Sequence, residues 1–168
     1  LALALNWGNE GNREAIRDGH HWTDSQVAEL LGRLTAAEWG MVQDLWNLVD
    51  RYWPDIAELQ REMTGLAPAK VERVPFTVRS ADGQDVQLAG GYYPLKYDAK
   101  RSSLVNQRDT KANVKELFGT NHIGPQTKKG HTIERTASGG LPVALDLNVL
   151  SGHLQNVIHD LTHRRALL

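Results

Sequence analysis

The feature that most constrains this chain is one amphipathic stretch opened by Thr35-Ala36-Ala37-Glu38. A threonine followed three residues later by a glutamate is a capping box, in which hydroxyl and carboxylate satisfy the free N–H groups of a helix start. Beyond it Val42, Leu45, Val49, Tyr52, Ile56, Leu59 and Met63 recur at alternating spacings of three and four, with Trp39, Trp46 and Trp53 beside them at every seventh position. Together these make an apolar face wider than the seam of a two-stranded coiled coil. Glu38, Asp44, Asn47, Asp50, Arg51, Glu58 and Glu62 hold much of the remaining surface. Pro54 lies inside the pattern and predicts a kink or a split, because proline has no N–H and its ring clashes with the preceding turn. Gly65 predicts the end.

The rest of the chain is read around that helix. Leu1 to Leu5 looks like the last turns of an apolar helix, and Asn6 to Gly11 a break with two glycines and two asparagines. Asn12 to Asp18 suits a short helix ending at Gly19. Thr23 or Asp24 can cap a helix from Ser25 to about Leu34, buried through Val27, Leu30, Leu31 and Leu34. The period then changes: Val71 to Val78 predicts a strand, Ala81-Asp82-Gly83-Gln84 a turn, and Asp85 to Leu88 the returning strand. Pro75 argues for an edge position.

An aromatic segment follows from Gly90 to Pro94, then loop over 98–108, and a short helix from Asp109 or Thr110 to Phe118. Residues 119–142, with five glycines and two prolines, predict a long irregular segment. From Leu145 a last helix is expected to bury Leu147, Leu150, Leu154, Val157, Ile158 and Leu161. The expected fold is mainly α with a small β-hairpin (α+β), an irregular helical domain built on the long kinked helix. One domain is expected over 1–168: a helical part at 1–65, the hairpin and Gly/Tyr segment at 66–98, and an irregular segment plus C-terminal helix at 99–168. Helical pattern runs to both ends, so the expectation is an internal piece of a larger protein.

Composition removes several classes. The chain has no cysteine, hence no disulfide, thiolate nucleophile or Cys-ligated zinc. Its apolar runs are short and interrupted, so no membrane span is expected, and the first residues lack the basic region of a signal peptide. Charge is uneven. Residues 1–60 carry 4 Lys/Arg against 10 Asp/Glu, residues 61–135 carry 13 against 8, and residues 136–168 carry 2 against 2. The basic middle can meet an acidic partner or nucleic acid. Neutralising the acidic first third of its own chain is the simpler use.

Three constellations could carry chemistry. His159-Asp160-Leu161-Thr162-His163 places two imidazoles one helical turn apart, as in zincins, with Asp160 in place of the general-base glutamate. Both histidines fall opposite the leucine stripe, so a polar or interface face competes with a metal site. His20-His21 reads as loop surface, since adjacent histidines do not share a helix face. Tyr92, Tyr93 and Tyr97, interleaved with Lys96 and followed by Lys100 and Arg101, could stack bases and neutralise phosphates. The competing use of those tyrosines is to close the core. Lys128, Lys129 and Arg135 form a further basic cluster. No GxxxxGK[ST], GxGxxG or GxSxG motif is present.

Four segments carry a family resemblance: Gly91 to Asp98, Thr132 to Thr136, Leu141-Pro142-Val143 with Leu145-Asp146-Leu147, and Val157 to Arg164. Over about Asn6 to Arg165 the chain resembles the very large multi-domain "polyvalent" proteins of phages and prophages, which are similar in organisation to virion proteins ejected with the genome, including virion-packaged RNA polymerases. The resemblance implies a phage origin, a large parent, and a place in the virion or host cytoplasm. It assigns no catalytic residue and no cofactor to these segments. Partners would be other domains of the same chain or other virion proteins, with DNA or RNA as a further candidate. The leading expectation is therefore a non-catalytic structural or interaction domain. A nucleic-acid-binding module and a metal-dependent hydrolase at His159 and His163 are the alternatives.

Overall fold

The computed structural model describes residues 1–98, Arg101 and residues 140–163. The expected helix ending at Phe118, most of the irregular segment, Lys100, Lys128, Lys129, Arg135 and residues 164–168 lie outside the described residues. Within them the fold is mainly helical: α1 (Ala2–Leu5), α2 (Glu10–His20), α3 (Asp24–Leu31), α4 (Ala36–Arg51), α5 (Trp53–Thr64) and α6 (Asn148–His163), with a two-stranded antiparallel sheet of β1 (Phe76–Arg79) and β2 (Asp85–Leu88).

The capping boxes set the helix starts. Thr35 and Glu38 bond reciprocally at the head of α4, and Thr23 does the same with Gln26 at α3. Asp82 in the hairpin turn adds a tertiary cap, its Oδ1 accepting from the Ala36 N–H at 3.0 Å. Helix α4 ends at Arg51 and α5 begins at Trp53, so Pro54 splits the stretch. It falls in the first turn of α5, where the missing N–H has no intrahelical partner to lose.

Several boundaries differ from the expected ones. Helix α2 starts at Glu10 because Asn9 caps it, accepting from the Asn12 N–H. Gly19 lies inside α2 rather than after it. A Cβ there would overlap the Leu141 carbonyl, so this glycine serves a close chain approach. The left-handed turn after α2 falls on His21 (φ 55). Helix α3 stops at Leu31, and the freed Leu34 carbonyl accepts from the Ala81 N–H of the hairpin turn at 2.8 Å. Strand β1 starts at Phe76 rather than Val71. The Val74 N–H is already given to the Gly8 carbonyl, and Pro75 has none to offer.

The hairpin register pairs Phe76 with Leu88 and Val78 with Val86. These four turn inward while Thr77, Arg79, Asp85 and Gln87 are exposed, as period-two alternation requires. One buried cluster draws on Leu5, Val27, Trp39, Val42, Trp46, Leu88, Tyr93 and Leu150. A smaller one joins Ala15, Ile16, Tyr97, Leu141 and Val143. The centre of the α4 face is Trp39-Val42-Trp46-Val49, with Leu45 and Tyr52 only half-buried. Trp39 and Trp46 meet Phe76 edge-on at centroid distances of 5.8 and 6.3 Å. Each fully buried side chain of this size contributes roughly 2–3 kcal/mol, and each edge contact adds about 0.5–1.5 kcal/mol.

Helix α6 buries Leu150 and Val157 and half-buries Leu154 and Leu161, but Leu147 (49%) and Ile158 (46%) are exposed. The buried face is narrower than expected because α6 lies against α5 and the core along one side. Part of the charge asymmetry is resolved within the chain. Asp50 of α4 binds Lys70 at 2.6 Å and Arg73 at 2.7 Å. Burial alone would raise the Asp50 pKa, and these two cations outweigh it and hold it below the usual carboxylate value.

Two glycine substitutions separate packing from helix propensity. Gly91→Ala would drive its Cβ into Trp46 and is expected to cost about 1–3 kcal/mol. Gly40→Ala, exposed in α4 with nothing within 4 Å of its Cβ, is expected to stabilise by about 1 kcal/mol. Urea unfolding midpoints at constant m-value read both.

Candidate functional site

The densest polar arrangement among the described residues lies under α2, where the segment after α1 crosses the strap after β2. Asn6, Asn9 and Asn12 are all buried, at 1%, 2% and 7% exposure. Asn12 Nδ2 donates to Asn6 Oδ1 at 3.1 Å and to the Tyr93 carbonyl at 2.9 Å. Asn9 Nδ2 donates to the Gly91 carbonyl at 3.2 Å while its Oδ1 caps α2. Asn6 Nδ2 closes α1 by donating to the Ala2 carbonyl at 2.9 Å. At the crossing the Gly8 carbonyl accepts from both Val74 and Gly91 N–H groups, at 3.1 and 2.9 Å. Trp46 covers it and donates its Nε1–H to the Leu5 carbonyl at 2.8 Å. A Cβ on Gly8 would overlap Gly91 and the Trp46 ring, so the crossing requires glycine on both strands of chain.

Arg13 extends this joint toward the hairpin. Its Nε–H donates to the Trp7 carbonyl at 2.7 Å and Nη2 to the Val74 carbonyl at 3.3 Å. The guanidinium lies over the Trp7 and Phe76 rings at 5.5 and 5.0 Å. Burial lowers the Arg13 pKa, with Arg17 adding to the effect and Glu10 opposing it. Arg17 stacks on the outer side of the motif, 5.2 Å from the Trp7 ring, and bridges Glu10 and Asp24. A groove of about 580 Å³ opens beside it, lined by Trp7, Val27, Leu31, Phe76 and Val78 with Asp24 and Arg79.

The Gly/Tyr segment forms the strap of this joint. Tyr93 is 1% exposed, and its hydroxyl donates to the Asp146 carbonyl at 3.3 Å. Burial pushes its phenol up to about 12, with the Asp146 charge adding to the shift. Tyr97 is 9% exposed and pairs with Val143 in an isolated antiparallel bridge. The Asp98 N–H donates to the Pro142 carbonyl at 2.8 Å, and the Ala144 N–H to the Lys96 carbonyl at 2.7 Å. Tyr92 is half-buried against His153, at a centroid distance of 5.7 Å. Of the residues named for base stacking and phosphate contact, Lys96 and Arg101 are exposed, whereas the Tyr93 and Tyr97 rings belong to the core. Sharing one segment does not bring these tyrosines to one accessible face.

The histidines separate in the same way. His20 stacks on Trp22 at 4.6 Å and donates through Nε2 to the Val143 carbonyl at 2.9 Å, so it ties α2 to the strap. His159 and His163 are exposed at the end of α6, stacked at 4.5 Å with 16° between the rings. Asp160 between them is 9% exposed and turned toward the protein. No third His, Cys, Asp or Glu joins the pair among the described residues, whereas a catalytic zinc takes three protein ligands.

Sequence reasoning missed the asparagine triad, reading Asn6 to Gly11 as a loop. One signal was present: Asn9 three residues before Asn12 matches an N-cap whose side chain reaches a backbone N–H three positions on. Nothing in the sequence tied Asn12 to Tyr93. The chain matches no protein-family model, no curated protein and no solved structure.

Asn12→Ala leaves the Asn6 and Tyr93 acceptors buried without this donor and is expected to cost about 3 kcal/mol. Glu29→Ala, which removes only the exposed pair with Arg33, is expected to cost less than about 0.5 kcal/mol. Chemical denaturation compares them. Tyr93 adds an alkaline limit. Its folded pKa lies above that of an exposed tyrosine, so its stabilising contribution is complete below about 10 and is lost as pH rises from there toward about 12. In Tyr93→Phe, stability is expected to fall less steeply over that range.

Proposed function

We propose that this chain is a non-catalytic structural and interaction domain of a large phage-encoded protein, carried in the virion and delivered with the genome. The observation that carries the reading is how the landmark segments are used. Gly91 to Asp98 and Leu141 to Leu147, which carry the resemblance to polyvalent phage proteins, lie against each other through the Tyr97–Val143 bridge and the Tyr93 hydroxyl. Residues held together in such a joint serve the fold they make. The buried asparagines and Arg13 support the same reading, because they bond to backbone carbonyls and to one another rather than converging on an open cleft. Any chemistry of the parent belongs, on this proposal, to its other domains.

Mass spectrometry of purified virions from a phage encoding this chain is expected to detect its peptides at a fixed copy number. Their absence from virions, with the chain present in infected cells, would overturn the reading. Against the nucleic-acid alternative, no mobility shift is expected with single- or double-stranded DNA at low salt. Binding that weakens steeply between two salt concentrations is the signature of phosphate contacts and would replace this proposal with that alternative.

A further inference from the structure

The end of α6 carries an arrangement that the scaffold role does not use. His159 and His163 sit one turn apart on its exposed face, with ring centroids 4.5 Å apart and nearly parallel. The His163 Nδ1 lies 3.1 Å from the His159 carbonyl and 2.7 Å from the Thr162 hydroxyl. The Thr162 hydroxyl is 2.8 Å from the Ile158 carbonyl and 3.1 Å from the His159 carbonyl, so its proton has acceptors of its own. A carbonyl can only accept, so the ring places its proton on Nδ1 and leaves the lone pair on Nε2. His159 turns its own Nδ1 toward the Asp160 carboxylate, at 3.7 Å. The His163 ring thus has the hydrogen-bonded Nδ1 that orients metal-binding imidazoles, while the His159 ring has a carboxylate on that side beyond hydrogen-bond reach.

We propose that His159 and His163 form a two-point clip for a transition-metal dication, held through the two Nε2 atoms, with water completing the coordination. The class follows from the donors: imidazole suits copper, nickel and zinc, and copper(II) heads the affinity order for a given nitrogen site. Metal–nitrogen bonds of about 2.0–2.1 Å bring two adjacent ligand atoms to roughly 3 Å apart. Stacked rings hold their in-plane lone pairs side by side, so binding one ion requires the two exposed side chains to open the stack and tilt their Nε2 atoms toward a common point. Asp160, turned inward, stays out of the site, so no general base accompanies the ion. The clip is a binding site without hydrolytic machinery, and it would brace the last turn of the helix.

The test uses the 168-residue chain without an affinity tag, titrated with copper(II) and followed by electron paramagnetic resonance and thermal unfolding. One high-affinity ion with two equatorial nitrogen ligands is expected, together with a rise in melting temperature that grows with copper concentration. His159→Ala and His163→Ala should each weaken that binding at least tenfold, and His21→Ala, at an exposed position away from α6, should leave it unchanged. Circular dichroism of each variant without metal checks that the helix persists. A single-nitrogen spectrum, or equal copper affinity in the His159→Ala/His163→Ala variant, would overturn the proposal.

Discussion

The structure depends on a crossing of two chain segments at Gly8 and Gly91, roofed by Trp46. Such an approach buries peptide groups that water can no longer reach, and every buried N–H and C=O left unpaired costs on the order of 1–3 kcal/mol. The asparagines meet that cost. Asn9 reaches the Gly91 carbonyl, Asn12 reaches Tyr93, and the Trp46 indole reaches the Leu5 carbonyl at the end of α1. An asparagine amide offers donor and acceptor on one short side chain, so it can cap a helix with one atom and bind a distant carbonyl with the other, as Asn9 does.

The remaining architecture is arranged around that joint. Helix α4 is held at its head by Asp82 and along its length by Trp39, Trp46 and Phe76, so the hairpin and the helix fix each other. The strap carries the joint onward to Val143 and Asp146, and the Asp146 carboxylate accepts from the Asn148 N–H at the start of α6. Arg13 spans the space between α2 and the hairpin with its stem packed and its guanidinium on two rings, a position that a lysine's point charge would not fill. The histidine pair on α6 is exposed and lies apart from this joint.

Much of the secondary structure was legible because it is written in local chemistry. The Thr35/Glu38 box, the Pro54 break and the Gly65 stop each act within a few residues, and each falls where expected. The turn around Asp82 and Gly83 was legible for the same reason. The candidate site was less so. Tyr92, Tyr93, Lys96 and Tyr97 can be read as a stacking platform, although closing the core is the commoner use of such tyrosines; burial depends on which segment lies opposite. Here that segment is Leu141 to Leu145, far along the chain. Ile158 and Leu147 show the converse error, since an apolar stripe gives the phase of a helix but not the width of the surface it meets.

By itself the sequence determined the start of α4, the break at Pro54, the stop at Gly65, the hairpin turn and the absence of cysteine chemistry, since these follow from local backbone geometry and side-chain type. It also determined that His159 and His163 share a helix face, because that depends only on spacing along the chain. Tertiary structure alone decided that a glycine–asparagine stretch is a buried joint rather than a loop, that two tyrosines are core, and that Asp160 turns inward between exposed histidines. The physical reason is the same in each case: a polar or aromatic side chain takes its role from the partner that desolvates it, and that partner is brought by the fold.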